Sequence, residues 1–163
     1  MTKRFFFLLL FLACSMAAFT QDKKMAVGIG AEWNMDSRRD FAGGGILVFD
    51  YKLPRFVSLG VMIEGSSNFS GTHVIEPAFL FRAYYLENEY RGFYFQTDLG
   101  ASFIMEPESE PEREPNRDVW IRPIVGFGVG YRAFLGPVFY VEPFGRLGFP
   151  FAFGLGMIAG LRF

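Results

Sequence analysis

From residue 25 onward, the segments that alternate in hydropathy carry their charges on even residue numbers alone. Eight stretches, 25–33, 43–53, 57–63, 75–85, 93–103, 119–131, 139–149 and 151–163, alternate with period two between turn residues, and none of their odd positions is charged. The odd set runs Met25, Val27, Ile29, Ala31, Trp33, then Leu47, Phe49, Tyr51, and on to Leu155, Met157, Ala159, Leu161 and Phe163. With 20% of the chain charged, chance placement would not leave so many consecutive odd positions neutral. Helical spacing fails over the same stretches, so the alternation predicts eight strands, each with one apolar face. One parity serving all eight also predicts connections of mostly odd length, because an even loop exchanges the faces.

The even positions are a different population, with 12 glycines and 12 charges once Glu64 and Arg132 at the strand ends are counted. Glu32, Asp50, Glu64, Glu76, Asp98 and Glu142 stand against Lys52, Arg82, Arg122, Arg132, Arg146 and Arg162. Such a sheet could close as a soluble barrel with its apolar face inside, or as a membrane barrel with that face outside. Size decides. The interior of eight strands is just wide enough for side chains, so stacked Phe and Tyr would overfill it, whereas glycine and paired charges fit. Most of the stretches are near the roughly 9–11 residues that a tilted strand needs to cross hydrocarbon. Closure also pairs every backbone N–H and C=O without water. Odd-position aromatics gather at strand ends, Tyr51, Tyr85, Phe93, Tyr131, Phe139 and Phe163 at one end and Trp33, Phe103, Phe149 and Phe151 at the other, as interfacial girdles would. The expected fold is all-β, an eight-stranded antiparallel up-and-down transmembrane β-barrel.

The first 20 of the 163 residues look like a removable export signal: Lys3 and Arg4, an apolar core from Phe5 to Ala13, then the small residues Ser15, Ala17 and Ala18. Cleavage is expected between Ala17 and Gln21, leaving 21–163 as the barrel domain. The leader then takes away Cys14, the single cysteine, so the mature chain has no disulfide and no Cys metal site. Without Lys3 and Arg4, 14 basic residues face 17 acidic ones, which argues against a nucleic-acid partner. After the leader no apolar run reaches the roughly 18 residues of a membrane helix.

The chain ends Gly156-Met-Ile-Ala-Gly-Leu-Arg-Phe163. This resembles the last strand of bacterial outer-membrane barrels, whose terminal aromatic residue is read by the assembly machinery. With the leader, the eight strands and the stretches Phe81-Arg-Ala-Tyr-Tyr85, Gly92-Phe-Tyr-Phe and Gly126-Phe-Gly-Val-Gly-Tyr131, the chain looks like a small eight-stranded outer-membrane protein of the OmpW/OprG or OmpA/OmpX type. The resemblance implies an outer-membrane location, lipids and the assembly machinery as partners, and Phe163 as the assembly signal. A monomer is expected. It also implies periplasmic termini, with turns at 53–55, 86–91 and 135–137 on that side and loops 34–42, 65–72, 104–118 and around Pro150 outside. In the 104–118 loop Glu106, Glu108, Glu110, Glu112, Glu114 and Asp118 outnumber Arg113 and Arg117, and Pro107, Pro111 and Pro115 recur every four residues. That composition favours an extended, solvated loop, although capture of a cation or a basic partner is the functional alternative.

Chemistry is sparse. His73 is the only histidine, with Ser66, Ser67, Ser70 and Glu76 nearby in sequence, so acyl hydrolysis can be imagined. A rim residue of an ordinary barrel is the plainer reading, and an enzyme is not expected. No cofactor, metal cluster or nucleotide motif is expected either. Gly126, Gly128 and Gly130 share one face of a strand and do not open a helix.

The bore offers two readings. Asp50, Lys52, Arg82, Asp98, Arg132, Glu142, Arg146 and Arg162 are expected to form a charge network, since an unpaired charge in low dielectric costs several kcal/mol. In the plugged version Arg82, Arg132 and Arg162 lock to Asp50, Asp98 and Glu142. Yet Ile46, Met62, Ile124 and Ile158, with Leu80 and Phe144 near mid-depth, resemble the greasy vestibule of OmpW-type barrels. Pro77, Pro123 and Pro143 each remove a ladder donor inside a strand, so either the ladder bulges or two strands part. The leading expectation is a passive conduit for small hydrophobic or amphipathic molecules, with lateral exit near these prolines. The alternative is a closed, salt-bridge-plugged barrel with a structural or adhesive role through its loops.

Overall fold

The computed structural model describes residues 24–36, 41–53, 55–68, 71–85, 90–105 and 119–163. The leader with Cys14 and its cleavage point, Ser70, and the acidic residues from Glu106 to Asp118 lie outside them. Eight strands follow in order: β1 (Met25–Asp36), β2 (Phe41–Lys52), β3 (Val57–Asn68), β4 (His73–Tyr84), β5 (Gly92–Met105), β6 (Val119–Phe134), β7 (Phe139–Phe149) and β8 (Phe151–Arg162). Each pairs antiparallel with the next, and β8 pairs with β1, so the sheet closes on itself. Closure is completed at the termini, where Met25 N donates to Phe163 O and Phe163 N to Met25 O, both at 2.9 Å. No strand edge is then left for another chain to pair with along this seam.

Parity becomes orientation. Phe79 is 72% exposed and its neighbour Leu80 1%. Ile29, Leu47, Phe95, Phe127 and Met157 face outward likewise, while Asp50, Arg82, Asp98, Arg132 and Glu142 are buried in the bore. The apolar bulk thus lies outside and the ionic groups inside, the arrangement that a lipid solvent favours and water does not.

Three features depart from the expected pattern. First, β3 runs to Asn68, because Gly65, Ser66 and Ser67, loop-like by composition, pair in register with Gly45, Gly44 and Gly43 of β2. Cross-strand pairing overrides low intrinsic strand preference here. Second, Phe151 points into the bore and is 5% exposed, although its odd number predicted the outer girdle. The β1–β8 register shifts by one between Met35 and Asp36, so Ala152 is an extra residue and reverses the faces at the start of β8. Third, β6 pairs with β7 only from Val125 onward. Its first residues overhang that neighbour, which leaves Arg122, expected in the bore, exposed.

The connections at the terminal end are short. Leu53 N donates to Val57 O at 2.9 Å with Arg55 at φ 75°, and Leu135 N donates to Phe139 O at 2.9 Å with Gly136 at φ 105°. Only glycine takes the latter backbone at no steric cost.

Candidate functional site: two ion clusters across the bore

Two buried clusters cross the bore at different depths. In the one nearer the termini, Arg82 (β4) and Arg132 (β6) share Asp50 (β2) and Glu142 (β7). Arg82 Nη1 lies 2.5 Å from Asp50 Oδ2 and its Nη2 3.1 Å from Glu142 Oε1. Arg132 Nη2 lies 2.6 Å from the same Asp50 oxygen and its Nε 2.5 Å from Glu142 Oε2. Tyr94 Oη donates to Glu142 Oε1 at 2.7 Å. Two guanidinium groups thus meet two carboxylates, a charge-neutral square built by the planar forks of Arg.

Aromatic rings seal this square toward the termini. Arg132 Cζ lies 4.4 Å from the ring centroid of Tyr140 and 4.5 Å from that of Tyr90, and Arg82 Cζ lies 4.9 Å from that of Tyr94. Tyr90 belongs to no strand. It folds in from the β4–β5 connection with φ 54°, a left-handed backbone that a bulky residue adopts at a cost, and is 2% exposed.

The second cluster centres on Arg146 of β7. Its Nε donates to Glu32 Oε1 (β1) at 2.6 Å and its Nη2 donates to Glu64 Oε2 (β3). Glu76 (β4) and Asp98 (β5) stand farther off, at 3.7 and 3.6 Å. Asn34 Nδ2 donates to the other Glu64 oxygen at 2.5 Å, and the Phe151 ring covers Arg146 with its centroid 4.2 Å from Cζ. The inward turn of Phe151 is therefore what caps this cluster. One guanidinium here faces four carboxylates. Gln96 links the two clusters, accepting from Arg82 Nε and donating to Asp98 Oδ1, each at 2.6 Å.

Of the eight charges expected in the network, Asp50, Arg82, Arg132 and Glu142 come together, and Asp98 joins Arg146 instead of the first group. Arg162 lies apart from both, with its Cζ 4.0 Å from the Phe134 ring centroid and Nη2 3.5 Å from Pro137 O. Lys52 is partly buried at the same end. Glu32, Glu64 and Glu76 stood in the sequence as inward charges, but nothing in a linear chain assigned them to Arg146 across the barrel. Asn34, Gln96 and the tyrosines 84, 90, 94 and 140 carried no signal except their even numbers.

Ile46, Met62, Leu80, Ile124 and Ile158 are at most 2% exposed, and Phe144 8%. All of them but Ile124 pack into one buried apolar cluster with Val48 and Tyr94.

At Pro77 and Pro143 the ladder loses rungs but keeps its register. Between β4 and β5 the rungs at Glu76 and Pro77 are missing, yet Ile75↔Phe103 and Ala78↔Gly100 keep one register on either side. Between β6 and β7 the rungs opposite Glu142 and Pro143 are missing in the same way. Pro123 pairs with Ala101 on β5 and lies in the overhang of β6 beyond β7.

His73 faces outward at the loop end of β4, paired in the ladder with Ser67, whereas Glu76 faces the bore among the Arg146 ligands. The two occupy opposite faces of the sheet. Among the described residues no group of three or more His, Cys, Asp and Glu side chains is arranged to hold a metal ion.

No family model and no curated protein matches the chain. Among solved structures it is similar to the N-terminal β-barrel domain of Pseudomonas aeruginosa OprF, at 12% identity and TM-score 0.55 over 85% of this chain and 97% of that one. It is also similar to Neisserial surface protein A, at 10% identity and TM-score 0.62 over 86% and 96%. The fold is that of the eight-stranded outer-membrane barrels. At this identity the likeness speaks for architecture alone, and the ion clusters stand on this chain's own residues.

Proposed function

We propose that the chain is an outer-membrane barrel with a closed bore, serving the envelope as a structural element that displays its loops, and not a conduit. Three guanidinium groups, each no more than 1% exposed and each shared between carboxylates on different strands, carry this reading. Passage would require unpairing at least one of them in low dielectric, at a cost of several kcal/mol. The apolar groups that could have lined an entry are packed, and the strands beside Pro77 and Pro143 stay in register. On the same reading the leader exports the chain, Phe163 guides its assembly, and no reaction is catalysed, since His73 and Glu76 point to opposite sides of the wall. Planar-bilayer conductance together with uptake of a hydrophobic dye tests it. Folded protein should pass neither, and permeation by either would restore the conduit.

A further inference from the structure

Glycine is disfavoured inside a strand and usually marks a bulge, a close backbone approach or a place where a ligand comes near. Most glycines of this barrel have a packing reason. A Cβ on Gly44 would strike Ser66, one on Gly156 the Phe144 ring, and one on Gly130 the Tyr94 ring. Gly45 and Gly65 have none. They pair with each other on the outward face of β2 and β3, in unbroken register. A Cβ built on Gly65 meets nothing within 4 Å, and one on Gly45 only Gly30 O at 4.0 Å.

These two glycines floor a groove of about 520 Å³ at the loop end of the wall. Such a volume lies within the roughly 300–1,000 Å³ of small-molecule sites. Gly43 lines it as well, and beside Gly43 stands Trp33 of β1, its ring 3.3 Å from where a Cβ on Gly43 would sit. Ile75 of β4 forms one side, with His73 and Ser67 as polar groups at the end nearest the loops. Phe41, Ile63 and Phe79 on the surrounding outward face are bulky and exposed. The groove is thus a local absence of side chains in a wall that elsewhere carries them, continuous with the apolar band that faces lipid.

We propose that this groove seats one acyl chain of a membrane lipid, with the headgroup beside His73 and Ser67. The proposal rests on the apolar face pointing outward and is independent of whether the bore is plugged. The available space makes Gly45→Leu/Gly65→Leu a filling variant that the barrel can accommodate, with Gly65→Ala as a milder second.

Wild type and variants are folded into vesicles of phosphatidylethanolamine and phosphatidylglycerol, extracted in mild detergent, and weighed intact by native mass spectrometry, with heat-modifiable gel migration as the folding control. Wild type should retain one phospholipid per barrel, the double variant at least tenfold less, and Gly65→Ala an intermediate amount. In a Trp120→Phe background, brominated chains should quench Trp33 less once the groove is filled. Lipid-free wild type, or equal retention by wild type and filled variants, would overturn the proposal. So would a wild-type dimer that filling breaks, which would assign the face to a second copy.

Discussion

Arg132 and Glu142 face each other across the β6–β7 seam at the very rungs the ladder lacks, with Arg132 Nε 2.5 Å from Glu142 Oε2. Pro143 deprives the seam of a donor there, and the neighbouring side chains hold it from inside the bore. A closed barrel has no water to satisfy such a gap in its wall, so the ion pair has a structural task beyond its charge.

Glu142→Gln should therefore be strongly destabilising. It leaves Arg82 and Arg132 with Asp50 as the one carboxylate of their square. Removing one partner of a buried pair costs about 3–5 kcal/mol, which reversible urea unfolding in vesicles would read as a lower midpoint. A loss below about 1 kcal/mol, the scale of an exposed pair, would place the pair in water.

Arg146→Met should cost at least as much, because it strands the carboxylates of Glu32 and Glu64 that the guanidinium now bonds. Adding Glu32→Gln and Glu64→Gln should restore much of the loss, since an unmatched buried charge is worse than a neutral group. The same unfolding assay reports the non-additivity.

Phe151→Ala should uncover Arg146 from the loop side. Truncating a buried Phe costs about 3–5 kcal/mol, and hydrogen exchange of the arginine side chain, observed by NMR in micelles, should accelerate. Unchanged exchange would mean that Phe151 is no cap.

Gly130→Val should displace Tyr94 from Glu142, because the new Cβ would occupy the space of the Tyr94 ring. Overpacking of this kind costs about 1–3 kcal/mol. A Tyr94→Ala change in the same chain should relieve part of it, and denaturant midpoints of the single and double variants check this.

The architecture was legible because a lipid-facing wall imposes one rule on every strand, and pairs such as Phe79 and Leu80 obey it residue by residue. The rule failed at Phe151, where one extra residue, Ala152, reversed the faces. A bulge has no signature in alternation until its partner strand is known. It also failed at Gly65 to Ser67, whose composition suggests a loop and whose pairing with β2 makes a strand. The identity of the buried charges could be read from their even numbers, but not their pairing. Arg146 reaches Glu32 and Glu64 across the barrel, and only register and diameter decide that. Whether Ile46, Met62 and Ile124 form a vestibule was not legible for a related reason, since even-numbered apolar residues mark the bore without revealing whether it is filled.

The central claim is an apolar exterior around a closed, ion-paired interior. Nitroxide labels on single cysteines at Phe79, Leu80, Phe95 and Gln96, placed in chains starting at residue 21 and folded into vesicles, test it through collision with lipid-soluble oxygen and a water-soluble nickel complex. Oxygen should reach positions 79 and 95, and neither reagent should reach 80 and 96. Nickel access at 80 and 96 would show a water-filled bore, and nickel access at 79 and 95 would show that the apolar face is not in lipid at all.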